Sequence, residues 1–134
     1  MLNDTLLWVE RAEGDFEGAQ ILSKRRSVKI IHLTCFASQQ CAEKYLKAFL
    51  VERGVKFSKT HALVRELLPL CQKIDDDFIH IKEFLELLDP YAVEFRYPGE
   101  SIPAKEARSA FLAVQKVRKF VRDKLGIEKQ QRIL

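Results

Sequence analysis

Only three histidines occur in the 134 residues, at positions 32, 61 and 80, and no two share a helix face at the spacing a metal site needs. No metal and no cofactor are therefore expected. His61 follows Lys59 and Thr60. Threonine is a good N-cap, so the His61 backbone N–H falls among the unpaired donors of a helix start, which attract an anion, and Lys59 adds positive charge beside it. The alternative role for Thr60 and His61 is to fix a turn. A second group is the polar strip Gln39, Gln40, Glu43, Lys44 and Lys47 within an otherwise apolar stretch. Glu43 precedes Lys47 in the favourable i,i+4 order, worth about 0.3 kcal/mol on an exposed face. The strip either lines a ligand groove or pairs its glutamines across a helix or dimer interface, since buried amides need partners. A third group, Arg96 and Tyr97, lies in the irregular segment PYAVEFRYPGESI at 90–102. Arg96 offers a planar fork of donors for phosphate and Tyr97 a face on which a base can stack. Arg96, Tyr97 and His61 are expected to line one polar cleft that takes a nucleotide or RNA.

The elements that must position these groups read as helices. With only 5 Gly and 4 Pro there are too few turns for a many-stranded β fold. Asn3 or Asp4 can cap a first helix to Ser23, with Leu6, Val9, Ala12, Phe16, Ala19 and Leu22 as its stripe. Gly14 and Gly18 sit four apart on it, where a neighbouring helix can approach closely. Ser27 can cap a second helix over 28–53, closed by Gly54 at C′. Its stripe is Ile30, Leu33, Ala37, Cys41, Tyr45 and Ala48, widened by Ile31, Phe36, Phe49 and Leu50. So broad a face suggests contact with several neighbours or a second subunit, and a homodimer is expected. Thr60 opens a third helix from His61 to Ile74, bent at Pro69. Asp75, Asp76 and Asp77 favour a fourth helix start, with Phe78, Ile81, Leu85 and Leu88 inward and Pro90 as its stop. Ser101 or Pro103 opens a last helix with Ala107, Ala110, Phe111, Val114, Val117, Val121 and Leu125 in register, ended by Gly126. The organisation is one all-α up-and-down bundle of four to five helices over 1–126, then a polar tail at 127–134.

The net charge of +4 is unevenly spread. Lys24, Arg25, Arg26 and Lys29 form one basic run, and Lys116, Arg118, Lys119, Arg122, Lys124, Lys129 and Arg132 crowd the last helix and tail. Glu10, Glu13, Asp15 and Glu17 are acidic. Basic stripes attract phosphates, although at this net charge a solvated helix face is the plainer reading. Cys35, Cys41 and Cys71 sit in apolar stretches without zinc or redox spacing and read as reduced core thiols of a cytoplasmic protein. Asp4, Glu10 and Arg11 interrupt any signal-peptide run, and no stretch has the ~20 apolar residues of a membrane helix.

The segment CFASQQCAEKYLKAFLVERGVKFSKTHAL, residues 35–63, resembles the signature of the HEPN family. The matching residues are Cys35, Phe36, Gln39, Gln40, Ala42, Glu43, Lys44, Leu46, Lys47 and Ala48, then Lys59, Thr60, His61 and Leu63. Arg96, Tyr97 and Pro98 match an Arg-Tyr-Pro that the family often carries before its last long helix. The resemblance spans nearly the whole chain. It implies a helical bundle, usually dimeric, and partnership with a minimal nucleotidyltransferase in toxin–antitoxin or related pairs. Active ribonucleases of the family carry Arg, four to six residues, then His near the last long helix, and cleave RNA without metal at a composite dimer site. Here no histidine follows His80, so that motif is incomplete after Arg96. Arg26 and His32 have the bare spacing but stand at the wrong place in the helix order. The resemblance therefore implies a non-catalytic, nucleotide- or nucleic-acid-associated protein, with a ribonuclease toxin using Arg96 and His61 or another histidine supplied across the dimer as the alternative.

Overall fold

Apolar side chains on nearly every side of residues 31–52 leave that segment no face to turn to water, and it becomes the axis of the molecule. The structure, a computed structural model, describes residues 1–25, 27–93 and 102–127. Five α-helices follow in order: α1 Asn3–Ser23, α2 Ile31–Glu52, α3 Leu68–Ile74, α4 Lys82–Leu88 and α5 Ala104–Leu125. No strand occurs among the described residues, as expected of an all-α bundle.

The direction of each helix follows from which residues meet. The start of α1 meets the end of α2, where the Leu2 backbone N–H and Thr5 hydroxyl donate to Glu52, while Asp15 farther along α1 pairs with Lys44. The two helices are thus antiparallel. Arg122 on α5 reaches Tyr45 on α2, and Ala107 near the start of α5 lies at the same cavity as Thr34 near the start of α2, so α2 and α5 run parallel. The chain returns between them through α3 and α4. Phe78 packs on both Phe49 and Phe120, and Tyr91 donates to Glu106, which sets α4 antiparallel to α5. The core between these helices holds the fully buried Tyr45, Leu46, Phe49, Leu50, Leu63, Leu67, Phe78, Leu85, Leu88 and Val114. Cys35, Cys41 and Cys71 are buried in it.

Several boundaries differ from the sequence-based expectation for local reasons. Asn3 and Asp4 do not cap α1; Leu2 occupies the N-cap without a side-chain bond, and Glu52 of α2 takes that role from outside. Leu6, placed on the core stripe, is 47% exposed, while Thr5 is buried in its stead. Ser27 does accept from the Lys29 N–H, but the turn it caps, Val28–Ile30, is 3₁₀, and α2 begins only at Ile31. The third helix starts two residues later than expected, as a π-type turn over Leu63–Leu67 before Pro69 allows a regular α3. Asp75 caps a 3₁₀ stretch, Asp76–Ile81, that precedes α4. Pro90 does not stop the fourth helix outright, because one further 3₁₀ turn, Asp89–Tyr91, accommodates it. Gly54 and Gly126 both close their helices with positive φ, 69° and 77°, a conformation costly to any residue with a Cβ. The polar tail lies outside the described residues beyond Ile127.

Candidate functional site

The polar strip of α2 is held inside the fold rather than at its surface. Gln39 is fully buried, and Glu43 and Lys47 are nearly so. Glu43 accepts from Lys47 Nζ at 2.9 Å through Oε2. Its Oε1 lies 2.9 Å from His61 Nδ1 and also receives the Gln39 and Gln40 amides at 3.4 and 3.5 Å. Gln39 Nε2 further donates to the His61 carbonyl at 3.1 Å, and Gln40 Nε2 to Gln39 Oε1 at 2.8 Å. The glutamines therefore pair within the chain, between α2 and the segment that follows it. The Lys47 ammonium stands 5.6 Å from the ring centroids of both Trp8 and Phe57, which meet edge to face. Such contacts with ring faces partly compensate a lysine for lost water.

This network fixes the imidazole. A nitrogen facing a carboxylate carries the proton, so Nδ1 is the donor and Nε2 is the nitrogen left outside the network. The side chain is 68% exposed, with its bonded edge turned to Glu43. The result is a carboxylate-oriented imidazole, a geometry able to accept a proton or one hydrogen bond from a bound molecule.

The helix start beside it is less open than the sequence suggests. Thr60 Oγ accepts from the Ala62 N–H at 3.0 Å and donates to Glu66, which Ser58 also approaches. The Leu63 and Val64 N–H groups, the orphan donors of the delayed helix start, go to Asp89 at 2.9 and 3.3 Å. A carboxylate of the chain itself occupies the anion position there. Lys59 is exposed and stands apart from the hydrogen bonds that join Gln39, Gln40, Glu43, Lys47 and His61. Arg96 and Tyr97 lie outside the described residues, as does Arg26; His32 is half-buried and lines no part of this network.

Two further groupings were not singled out from sequence. Arg118 on α5 embraces Glu13 on α1 through two bonds of 2.7 Å, and Tyr45 donates to the same carboxylate while accepting from Arg122 at 3.0 Å. Burial raises the Glu13 pKa, but the bonds from Arg118 and Tyr45 outweigh it and leave the group below the ordinary carboxylate range. Burial and the Glu13 bond push the Tyr45 phenol far up. A buried tyrosine on a core stripe implies such a partner, which was the available signal.

The other grouping is a cavity of about 570 Å³ where the end of α1, the start of α2 and the start of α5 converge. Lys24, Arg25 and Arg108 line it with the hydroxyl residues Ser23, Ser27 and Thr34 and the apolar Leu22, Ile30, Ile31, Ala104 and Ala107. The basic run at 24–29 was the signal in the sequence; Arg108 and Thr34 join it only through the fold. Thr34 precedes Glu43 by nine residues, about 14 Å along α2, so the cavity and the histidine network are separate places. Among the described residues, no cluster of His, Cys, Asp or Glu could hold a metal, and no helix is long and apolar enough to cross a membrane.

The HEPN domain model matches residues 5–124. Two solved structures are similar over most of their length. One is ST0689, an archaeal HEPN homologue, with 23% identity and a TM-score of 0.68 over 90% of this chain and 96% of that one. The other is TT1696 from Thermus thermophilus, with 28% identity and a TM-score of 0.66 over 92% and 99%. No curated protein matches the chain.

Proposed function

Since the chain belongs to the HEPN family, we propose that it is a non-catalytic member that binds a nucleotide or RNA phosphate and acts beside a minimal nucleotidyltransferase. The observation that carries the binding part is the cavity lined by Lys24, Arg25 and Arg108. Its volume falls within the range of small-ligand sites, and its chemistry divides as a nucleotide does. Apolar residues line it together with three cations and hydroxyl donors, groups whose chemistry suits a phosphate. Ala104 begins a helix of 22 residues there, whose free N–H groups add positive potential. Among the described residues no carboxylate pairs with Lys24, Arg25 or Arg108. The non-catalytic part rests on the chain having no histidine after Arg96. Arg96, Tyr97, Lys59 and His61 remain proposed ligand contacts, with Thr60 and the strip Gln39, Gln40, Glu43 and Lys47 holding His61 and its segment in place.

The test is titration of ATP and of a short RNA against wild type, Arg25→Ala, Arg108→Ala, Arg96→Ala and His61→Ala. Loss of each arginine should weaken binding about tenfold and flatten its salt dependence, whereas His61→Ala should have a modest effect. Binding unchanged in every arginine variant would refute the reading. One observation favours a second reading, a metal-independent ribonuclease: the exposed Nε2 of an imidazole oriented by Glu43. RNA cleavage in EDTA by wild type, lost in His61→Ala and Arg96→Ala, would replace the first reading with that one.

A further inference from the structure

Three cations line one cavity, and their number bears on how much charge its guest carries. Lys24 and Arg25 reach it from the end of α1 and Arg108 from the start of α5, while α2 lends it Ile31 and Thr34 and no ionisable side chain. No carboxylate is among the described lining residues. Glu106, the acid nearest to Arg108 in sequence, is engaged by the Tyr91 hydroxyl. Because α1 ends and α5 begins at this place, two helix ends of opposite sign meet there, about half a charge each, and largely cancel. The side chains therefore set the balance. Ser23 spends its hydroxyl proton on the Gln20 carbonyl, but Ser27 only accepts, from the Lys29 N–H, and keeps its own proton for a guest. Leu22, Ile30 and Ile31 beside the cations lower the local dielectric, which strengthens each charge interaction made there.

We propose that the cavity takes a terminal phosphate, the dianionic monoester end of a nucleotide or strand, in preference to the singly charged diester inside a chain. This preference presupposes that the cavity is the phosphate site named above, and it narrows what enters. A monoester presents three unesterified oxygens and close to two negative charges at neutral pH, whereas a diester presents two oxygens and one charge. Against three cations and the Ser27 hydroxyl, the added charge and oxygen are worth about a factor of ten in affinity, even with water screening most of the field. Shape acts in the same direction. A diester carries a sugar on each side, and both must leave a cavity of about 570 Å³, the size for one small ligand, by its mouth. An end group enters alone. Selection rests on the phosphate, so the preference holds whichever base follows it.

A short RNA bearing a 5′-phosphate should bind the intact chain about tenfold tighter than the same RNA ending in a 5′-hydroxyl. A 5′-hydroxyl RNA lengthened by two nucleotides matches the first in total charge and should not gain that advantage. AMP should compete with the phosphorylated RNA, and adenosine should not. Arg25→Ala and Arg108→Ala should each bring the two RNAs to within about threefold of one another. Both arginines are exposed, so melting curves should confirm folding in these variants. The monoester regains its second proton near about pH 6, so the advantage should shrink severalfold between about pH 7.5 and about pH 5.5. The 5′-hydroxyl RNA has no such step and records any titration of the protein itself. Equal binding of the two RNAs, or an advantage indifferent to pH and to Arg108→Ala, would overturn the preference. Equal binding that still falls in Arg108→Ala leaves the cavity a phosphate site and removes the preference alone, whereas binding of none of these probes removes both.

Discussion

Removing the Glu43 carboxylate should unbalance the molecule more than any other single polar change. Glu43→Ala takes away the acceptor shared by Lys47, His61, Gln39 and Gln40. The amides keep other partners, Gln39 on the His61 carbonyl and Gln40 on the Gln39 side chain. His61 is exposed and turns to water. Lys47 alone is stranded: its side chain is 8% exposed, and what remains to it is the faces of Trp8 and Phe57. Breaking a buried pair from one side costs about 3–5 kcal/mol, and the two rings return a part of that, so the expected loss is ~3 kcal/mol. With a urea slope of about 2 kcal/mol per M, the midpoint falls by ~1.5 M. Glu43→Leu combined with Lys47→Met removes both charges at similar volume and should cost no more than about 1.5 kcal/mol, because neither partner of this pair is then left buried and unpaired. Trp8 is the only tryptophan and stands beside Lys47, so its fluorescence follows the same unfolding curve and senses the cluster directly. A Glu43→Ala loss below about 1 kcal/mol, or a double variant as costly as the sum of its singles, would refute the view that Lys47 depends on this carboxylate.

Two further outcomes follow from the packing and the charges. Phe78 is fully buried between Phe49 and Phe120, so Phe78→Ala should cost about 3–5 kcal/mol in denaturant melts, whereas Phe111, half-buried against Phe16, should cost about 2 kcal/mol as alanine; equal losses would show the two sites to be packed alike. Glu13 is held below the ordinary carboxylate range, so its contribution is complete above about pH 4.5 and is lost as pH falls through its depressed value. The stability gap between wild type and Glu13→Gln should accordingly be widest near neutrality and close as pH falls below the ordinary carboxylate range, and a gap independent of pH would contradict the assignment.

The long helices were legible because their burial is one-sided or complete over many turns. The α5 stripe, read as Ala107, Ala110, Phe111, Val114, Val117, Val121 and Leu125, is buried or half-buried throughout. Local turn chemistry was readable where one residue decides it, as at Gly54 and Gly126. It failed where a distant side chain decides: Glu52 caps α1 and Asp89 takes the donors before α3, and neither lies within the window that a capping rule inspects. The candidate site divides in the same way. Gln39, Gln40, Glu43, Lys47 and His61 were marked by polarity within an apolar helix and by the helix-start residue pattern, and the fold brings them together. The cavity was hidden because Arg108 and Thr34 are ordinary in their own helices and meet Lys24 and Arg25 only through the parallel pairing of α2 and α5.

The two polar systems on α2 differ in a way that bears on which can serve a ligand. Glu43 is saturated: four side chains already give it hydrogen bonds, and any guest anion would have to compete for Lys47, which is buried behind it. The network can offer a bound molecule one atom, His61 Nε2, without disturbing anything else. Lys24, Arg25 and Arg108 have no carboxylate partner among the described residues, and no described group compensates their charge. A cation already paired gains little from a phosphate, because it exchanges one anion for another; an unpaired, hydrated one gains the full interaction less its partial dehydration. Affinity should therefore reside in the cavity, and the histidine network should contribute chiefly by pinning the 53–62 segment to α2. This ordering separates stability from binding: Glu43→Ala should unsettle the fold, and Arg108→Ala should empty the cavity while leaving the melting curve in place.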